Sequence, residues 1–479
     1  MKNQLAPLAL LLLFAGIVVS TARLSSADAA ESSPNILLIV LDDQNGFAVR
    51  RDLAPQPVTP NLARLAKRGV TFANAQCAAP VCNPSRTALL SGLLPSATGI
   101  YDNDQDSLPK DHILRRTTSL PTYFQERGYK TAGSGKIFGS AFGSVVKKAG
   151  IWDETMQTDR KGRKEDPRPP KDKLPLSGLE GKHDWGAFPE NREQMADWQL
   201  AGWAANFLNQ PQSKPFFLAC GIVKPHTPWY VPQEYFDLFP PQSITIADLT
   251  ADENAGLPAG IRTKAKQVRA AAPLVARRKE LVAAYLAASR YADDCVGRIL
   301  DGLEKGPHRD RTIVIVCGDN GYQFGEKHHW SKGGLWEGSA HVPLVIAGPN
   351  IAEGQTSPRP VSLIDLYPTL LELSGLPAKS DLDGVSLVPL LKNPQAPRER
   401  PALTTAGFQN HALRTERWRY IRYRDGSEEL YDHDQDPLEQ KNLASQPEST
   451  EIKEALRKWL PQGDTPRTPN SSQSRNADD

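Results

Sequence analysis

The sequence predicts an α/β fold: a large, mostly parallel or mixed sheet sandwiched by helices, plus a small antiparallel sheet subdomain near the carboxyl end. Three observations predict it. Apolar runs without alternation, the pattern of strands covered on both faces, recur along the chain, as in Ile36–Leu41 and Ile313–Val316. Stretches with helical periodicity lie between them. Late in the chain, Trp418–Tyr423 and Glu429–Asp432 flank Asp425-Gly426, which is a hairpin signal.

Taken in order, the chain opens with Lys2, an apolar run from Leu5 to Val19, and the small residues Ser25, Ser26, Ala27, Ala29 and Ala30. That order is the pattern of a secretory signal, and the run is short for a ~20-residue membrane span. Residues 1–30 are therefore expected to be a signal peptide. The remaining chain is expected to be secreted or periplasmic, with no membrane span. Ile36–Leu41 is the first strand and ends at Asp42-Asp43. Thr59 is placed to cap a helix, with Pro60 at its first position and Gly69 past its end.

Further strands are expected at Val70–Phe72, at Tyr129–Ala132 before Gly133-Ser134-Gly135-Lys136, and at Phe216–Ala219 before Lys224-Pro225-His226. Two more are Ile313–Val316 before Gly318-Asp319-Asn320-Gly321, and Val342–Ala347. The clearest helix is Lys279–Glu304, where Leu281, Tyr285, Ala288, Ala292, Cys295, Ile299 and Leu303 form one stripe. Its Asp293-Asp294 pair reads as a solvated helix face. Ser362 opens another helix with a capping pattern, and Gly375 closes it. Gly139–Leu179 and Pro240–Pro273 have no period and read as long loops. The expected organisation is a catalytic domain at 31–388, a C-terminal α+β subdomain at 389–460, and a disordered polar tail at 461–479.

Composition narrows the function. Lys+Arg 57 against Asp+Glu 55 leaves a net charge of +2, which argues against nucleic-acid binding. Of the five cysteines, Cys220, Cys295 and Cys317 sit in apolar strand or helix patterns and read as buried core residues. Cys77 and Cys82 lie in a loop beside the candidate chemistry. In an exported protein an odd count leaves at least one cysteine unpaired.

The polar residues cluster where strands end, which is where ligands bind in an open parallel sheet. Asp42, Asp43, Asp319 and Asn320 offer four oxygen-bearing side chains, a set suited to Ca²⁺ or Mg²⁺. Such residues are also ordinary loop starters and helix caps. The stretch Cys82-Asn83-Pro84-Ser85-Arg86, followed by Thr87-Ala88-Leu89-Leu90-Ser91-Gly92, is more specific. It resembles the signature of the sulfatases, formylglycine-dependent enzymes of the alkaline-phosphatase superfamily. The resemblance runs from about Asn35 to Leu443, and the starts Asp42-Asp43-Gln44-Asn45 and Lys224-Pro225-His226 most resemble the iduronate-2-sulfatase-like subgroup.

The resemblance implies a sulfuric ester hydrolase. A maturation enzyme would convert Cys82 to Cα-formylglycine, whose hydrated aldehyde is the nucleophile. One Ca²⁺ would be held by Asp42, Asp43, Asp319 and Asn320 together with the converted Cys82. Arg86 would orient the diol, and Lys136 and Lys332 would bind the sulfuryl oxygens. His226 would protonate the departing alcohol. A sulfated saccharide is the expected substrate. The sequence departs from many relatives at Phe138-Gly139, where a histidine that assists sulfate release is absent. His328 or His329 is the candidate replacement and a candidate substrate contact. His183, Trp185 and Arg192 are further candidate sugar contacts, although each fits a structural role better. Two other readings stay open: a phosphonate monoester or phosphodiester hydrolase of the same superfamily, and a weakly active or non-catalytic carbohydrate-binding relative.

Overall fold

The computed structural model describes residues 33–46, 54, 56–146, 150–156, 166–179, 183–246, 257 and 272–469. The expected signal at 1–30 lies outside them. Strands run in chain order as β1 (Asn35–Leu41), β2 (Gly69–Gln76), β3 (Lys130–Gly135), β4 (Trp185–Ala187), β5 (Phe216–Ile222), β6 (Trp229–Val231) and β7 (Thr312–Gly318). They continue as β8 (Gln323–Phe324), β9 (Trp330–Ser331), β10 (Leu344–Ala347), β11 (Gln355–Ser362), β12 (Ala402–Thr405), β13 (His411–Arg414), β14 (Trp418–Arg422) and β15 (Glu428–Asp432).

Seven strands form the main sheet, in the order β11-β2-β10-β7-β1-β5-β3. Only β10 runs against its neighbours β2 and β7; the other pairings are parallel. The unbroken apolar character of β1 follows from its central place. Its side chains alternate between faces, and both faces are covered. Leu37, Ile39 and Leu41 pack with the helices Ala196–Asn209 and Arg278–Lys305. Ile36, Leu38 and Val40 pack with residues from the helices Cys82–Ser91 and Leu366–Leu373. The edge strand β11 was not anticipated. It carries Pro358 and Pro360, which weaken a strand pattern but are tolerated at a sheet edge.

The predicted stripe of the long helix is buried throughout, but Asp293 on that helix is not solvated. Its carboxylate accepts from the backbone N–H of Asn61 at 2.7 Å and of Leu62 at 2.8 Å. It thereby caps the helix Pro60–Ala66, while Thr59 makes no side-chain cap bond. A tertiary neighbour has replaced the local cap that the sequence suggested. Asp294 accepts from Tyr235 Oη and Arg290 Nε.

A second sheet, ordered β12-β13-β14-β15, contains the expected hairpin between β14 and β15. Residues 461–469, expected to begin a disordered tail, instead lie against the catalytic side. Thr465 N–H donates to Ser96 O at 2.7 Å, Thr468 N–H donates to Gly99 O at 3.0 Å, and Arg467 pairs with Asp102 and Asp104. Their polar composition satisfies backbone groups and carboxylates of a neighbour rather than water. All five cysteines are free and buried. Among the described residues no helix is long and apolar enough to cross a membrane.

Candidate active site

Five of the expected site segments leave the carboxyl ends of parallel strands. Asp42-Asp43 follows β1, Asp319-Asn320 follows β7, Lys136 follows β3, His226 follows β5, and the turn to Cys82 follows β2. The sheet edges lock these exits together. Asp42 N–H donates to Ile222 O and Asp319 N–H to Leu41 O, each at 3.0 Å, and Lys136 N–H donates to Gly221 O at 2.9 Å. The sequence order scatters these residues over almost three hundred positions, and the parallel register brings them to one rim.

Cys82 is the first residue of a ten-residue helix that is buried along its whole length. Gly92 ends it in the left-handed region, at φ 74°, with its N–H on Ala88 O. Arg86, one turn after Cys82, shares its face. Its Nε donates to Asp319 Oδ2 at 2.7 Å, and its Nη2 lies 3.4 Å from Asp42 Oδ1. Its Nη1 donates to the Lys136 carbonyl. The arginine is thus a buried cross-brace between three strand ends. Ser85 Oγ donates to Asp319 O at 2.5 Å, a bond with no separate signal in the sequence.

Lysines close the cluster. Lys136 Nζ lies 2.5 Å from Asp42 Oδ2. Lys332 Nζ lies 2.5 Å from Asp43 Oδ1 and 2.7 Å from Cys82 Sγ. Lys332 arrives from the loop after β9, and its carbonyl meets His329 Nε2 at 3.1 Å. His226 presents Nε2 to Asp43 Oδ2 at 3.8 Å. The structure therefore gathers Asp42, Asp43, Cys82, Arg86, Lys136, His226, Asp319, Asn320 and Lys332, with His329 behind Lys332.

Burial alone would push the Asp42 and Asp43 carboxyls up. For Asp42, Lys136, His226, Arg86 and Lys332 overcome burial and hold it well below the usual range. For Asp43, Lys332 and His226 lower it against burial and the Asp42 charge. Asp319 ends higher, at about 6, because burial and the two neighbouring carboxylates outweigh Arg86. Cys82 is pushed well above the ordinary thiol range by burial and then by Asp42, Asp319 and Asp43. A thiol held neutral in this way is a poor thiolate nucleophile.

The donor set fits a hard cation. Asp42, Asp43, Cys82 and Asp319 bring ligand atoms within 4.8 Å of one another. Asp43 adopts a left-handed backbone, φ 63°, and its N–H donates to Asp319 Oδ1 at 2.9 Å. Asn320 Nδ2 donates to Asp43 Oδ1 at 2.9 Å, which leaves Asn320 Oδ1 turned from that bond. Asp43 Oδ2 and Asn320 Oδ1 are both buried and receive no hydrogen bond. Buried oxygens without a donor beside carboxylates suit a hard, oxygen-binding cation.

The structure also gives a physical reason for the missing histidine. A side chain at Gly139 would meet the Asn83 backbone oxygen and Oδ1 at 2.5 Å. Phe138 packs with Phe142 and Trp152. Gly139 has no room for an imidazole, and the ring at position 138 is directed to Phe142 and Trp152. Among the other candidates, Trp185 is a core residue, and Arg192 lies over the Trp198 ring at 4.4 Å. His183 Nδ1 bonds Tyr322 Oη at 2.9 Å. Tyr285, read from sequence only as part of the core stripe, reaches the site by donating to Asp43 O at 2.7 Å.

The family model described as Sulfatase matches residues 34–376. A Sulfatase from Formosa agariphila is 37% identical over 457 residues, covering 89% of this chain and 86% of its own. This chain belongs to the sulfatase family. The sulfatase also matches, over residues 325–465, the model described as N-sulphoglucosamine sulphohydrolase, C-terminal. A Choline-sulfatase from Rhizobium meliloti is 30% identical and covers 86% of this chain and 83% of its own. An Ulvan-active sulfatase from Formosa agariphila is 27% identical and covers 92% and 84%. The phosphonate monoester hydrolase of Agrobacterium radiobacter shares the fold, with a TM-score of 0.70, 22% identity and coverage of 89% of this chain and 94% of its own. The sulfatase is accordingly a sulfuric ester hydrolase.

Proposed function

We propose that this sulfatase removes sulfate from a sulfated carbohydrate, a polysaccharide or its glycosaminoglycan-like fragments, with a formylglycine formed from Cys82 and one bound Ca²⁺. The observation that carries the reading is the setting of Cys82. It begins a buried helix, faces Lys332, and is surrounded by carboxylates that keep a thiol neutral. Unmodified, the residue is unsuited to attack. As the site of a formylglycine diol it is well placed. The diol would supply the nucleophile, and the cation held by Asp42, Asp43, Asp319, Asn320 and the converted Cys82 would polarise the sulfuryl group.

The chain's own groups divide the remaining work. Three carboxylates, Asp42, Asp43 and Asp319, face three cations, Arg86, Lys136 and Lys332. A divalent ion added to that balance leaves the rim positive, which favours an anionic ester whose charge grows at the bridging oxygen. Arg86 fixes the strand ends and the helix. Lys136 and Lys332 bind sulfuryl oxygens. His226 gives a proton to the departing alcohol through Nε2. His329, through the Lys332 carbonyl, and His328 beside it are the groups proposed to assist where the histidine is absent.

The carbohydrate class draws on the ulvan-active relative and on the export-type amino terminus. Secretion or the periplasm would be the compartment, and a formylglycine-generating enzyme the obligatory partner in maturation. The phosphonate hydrolase that shares the fold defines the competing reading. One preparation assayed on matched sulfate and phosphonate monoesters, then on defined sulfated saccharides, tests the proposal. Higher kcat/KM on sulfate esters, lost on chelation and restored by Ca²⁺, is expected. Preference for the phosphonate ester would overturn it.

A further inference from the structure

The segment 224–228 holds His226 by a closed set of hydrogen bonds. His226 N–H donates to Val223 O at 2.9 Å. Trp229 Nε1 donates to Pro225 O at 2.6 Å, and Lys224 Nζ donates to Pro228 O at 2.6 Å. The ring Nδ1 of His226 lies 2.6 Å from Thr227 O. A carbonyl only accepts, so Nδ1 carries the proton, and Nε2 is the nitrogen that faces Asp43. The four carbonyls of Val223, Pro225, Thr227 and Pro228 are each matched to a specific donor.

Lys224 is the unusual member. It is 4% exposed, and buried ammonium groups are rare unless paired. Its Nζ pairs with Asp166 Oδ2 at 3.7 Å. The bond to Pro228 O spans the two residues on either side of His226 and closes the loop from below. Asp197, from the helix Ala196–Asn209, anchors the loop's entrance by accepting Val223 N–H at 3.0 Å and Lys224 N–H at 2.9 Å. The same helix start is tied to Asp166, whose Oδ1 accepts Ala196 N–H at 2.9 Å. The ion pair with Asp166 offsets the burial of the ammonium, and the shorter bond to Pro228 O fixes the position of that carbonyl.

We infer that Lys224 is a positioning residue for proton transfer: through Pro228 it fixes the His226 ring so that Nε2, and not Nδ1, meets the leaving oxygen. The inference rests on the sulfatase reading above and on His226 as the proton donor. In the step concerned, the nucleophile oxygen at position 82 would bond to sulfur as the S–O bond to the alcohol breaks; that bond's electron pair stays on the leaving oxygen, which takes the proton from the imidazolium Nε2–H. Loss of the Lys224 clamp lets the ring turn, so leaving groups that need that proton suffer most.

The test is a leaving-group series on the full-length, matured enzyme: substituted phenyl sulfates from p-nitrophenyl to p-methoxyphenyl. Positioned acid catalysis contributes about 10²–10⁴-fold. Lys224→Met is expected to lower kcat on p-methoxyphenyl sulfate by about 10²-fold and on p-nitrophenyl sulfate by under about 3-fold. His226→Ala is expected to steepen the dependence on leaving-group pKa in the same way. The double variant is expected to match His226→Ala alone. Trp229→Phe, which keeps an aromatic ring but loses the donor to Pro225 O and part of the buried ring volume, gives a smaller change of the same form and serves if Lys224→Met does not fold. Uniform loss across the series, or additive losses in the double variant, would overturn the inference. Turnover of no sulfate ester by the wild-type enzyme would instead overturn the sulfatase reading beneath it.

Discussion

Two carboxylate clusters among the described residues, one buried and one partly buried, look alike by distance and differ in how their oxygens are used. One is the rim of Asp42, Asp43, Asp319 and Cys82; the other is Glu337, His433 and Glu439, between the main sheet and the second sheet. In the second cluster three carboxylate oxygens accept hydrogen bonds, and the fourth, Glu337 Oε1, lies in an ion pair with a histidine. Glu337 Oε2 takes Arg419 Nη2 and Arg414 Nε, and Glu337 Oε1 lies 3.4 Å from His341 Nδ1. Glu439 Oε1 takes His433 Nε2 at 2.9 Å and Arg419 Nε at 2.5 Å, and its Oε2 accepts Glu337 N–H. Burial would raise the Glu337 carboxyl, but Arg414 and Arg419 hold it well below the usual range. The rim keeps two buried oxygens without a donor, whereas a left-handed backbone occurs in both clusters, at Asp43 and at Glu439. Saturated oxygens mark a brace between sheets, and orphaned ones mark a ligand site.

Variants should separate the two clusters sharply. Cys82→Ala is expected to abolish turnover while the denaturant midpoint stays near wild type, since the thiol is replaced by a smaller apolar group. Asp42→Asn is expected to cost about 10³-fold in kcat/KM. It should also remove the Ca²⁺-dependent gain in stability, which for wild type at about 100 times Kd is about 2.7 kcal/mol. Thermal melts with and without Ca²⁺ measure this.

Glu337→Gln should do the reverse. Arg419, buried in the seam, loses a partner, so stability falls by about 3–5 kcal/mol in denaturant titration. The Ca²⁺ response and the kcat of the folded enzyme remain. A Glu337→Gln variant that lost its Ca²⁺ response, with normal stability, would break the contrast. The smallest effects belong to another buried carboxylate, Asp293. Asp293→Ala should cost about 1–2 kcal/mol as a lost helix cap, and Thr59→Ala under about 0.5 kcal/mol, both without change in turnover.

Much of this was legible in the sequence because the chemistry sits on local patterns. The apolar runs of β1, β5 and β7 are unbroken because both sheet faces are covered; Asp42 and Asp319 follow their strands directly, and His226 lies one short turn after β5. Cys82 and Arg86 need only one helical turn to meet the same carboxylates. What stayed hidden depends on distant partners. The reason Gly139 stands where a histidine was expected is the Asn83 backbone, and the cap of Pro60–Ala66 comes from a helix more than two hundred residues away. The prolines of β11 concealed an edge strand, and the polar stretch 461–469 concealed a docked strap.

The most direct measurement is mass spectrometry of the peptide spanning Cys82 from enzyme that hydrolyses sulfate esters, prepared where the maturation enzyme is present. Formylglycine at position 82 in proportion to specific activity is the expected result. Active enzyme carrying only free or disulfide-bonded Cys82 would contradict it.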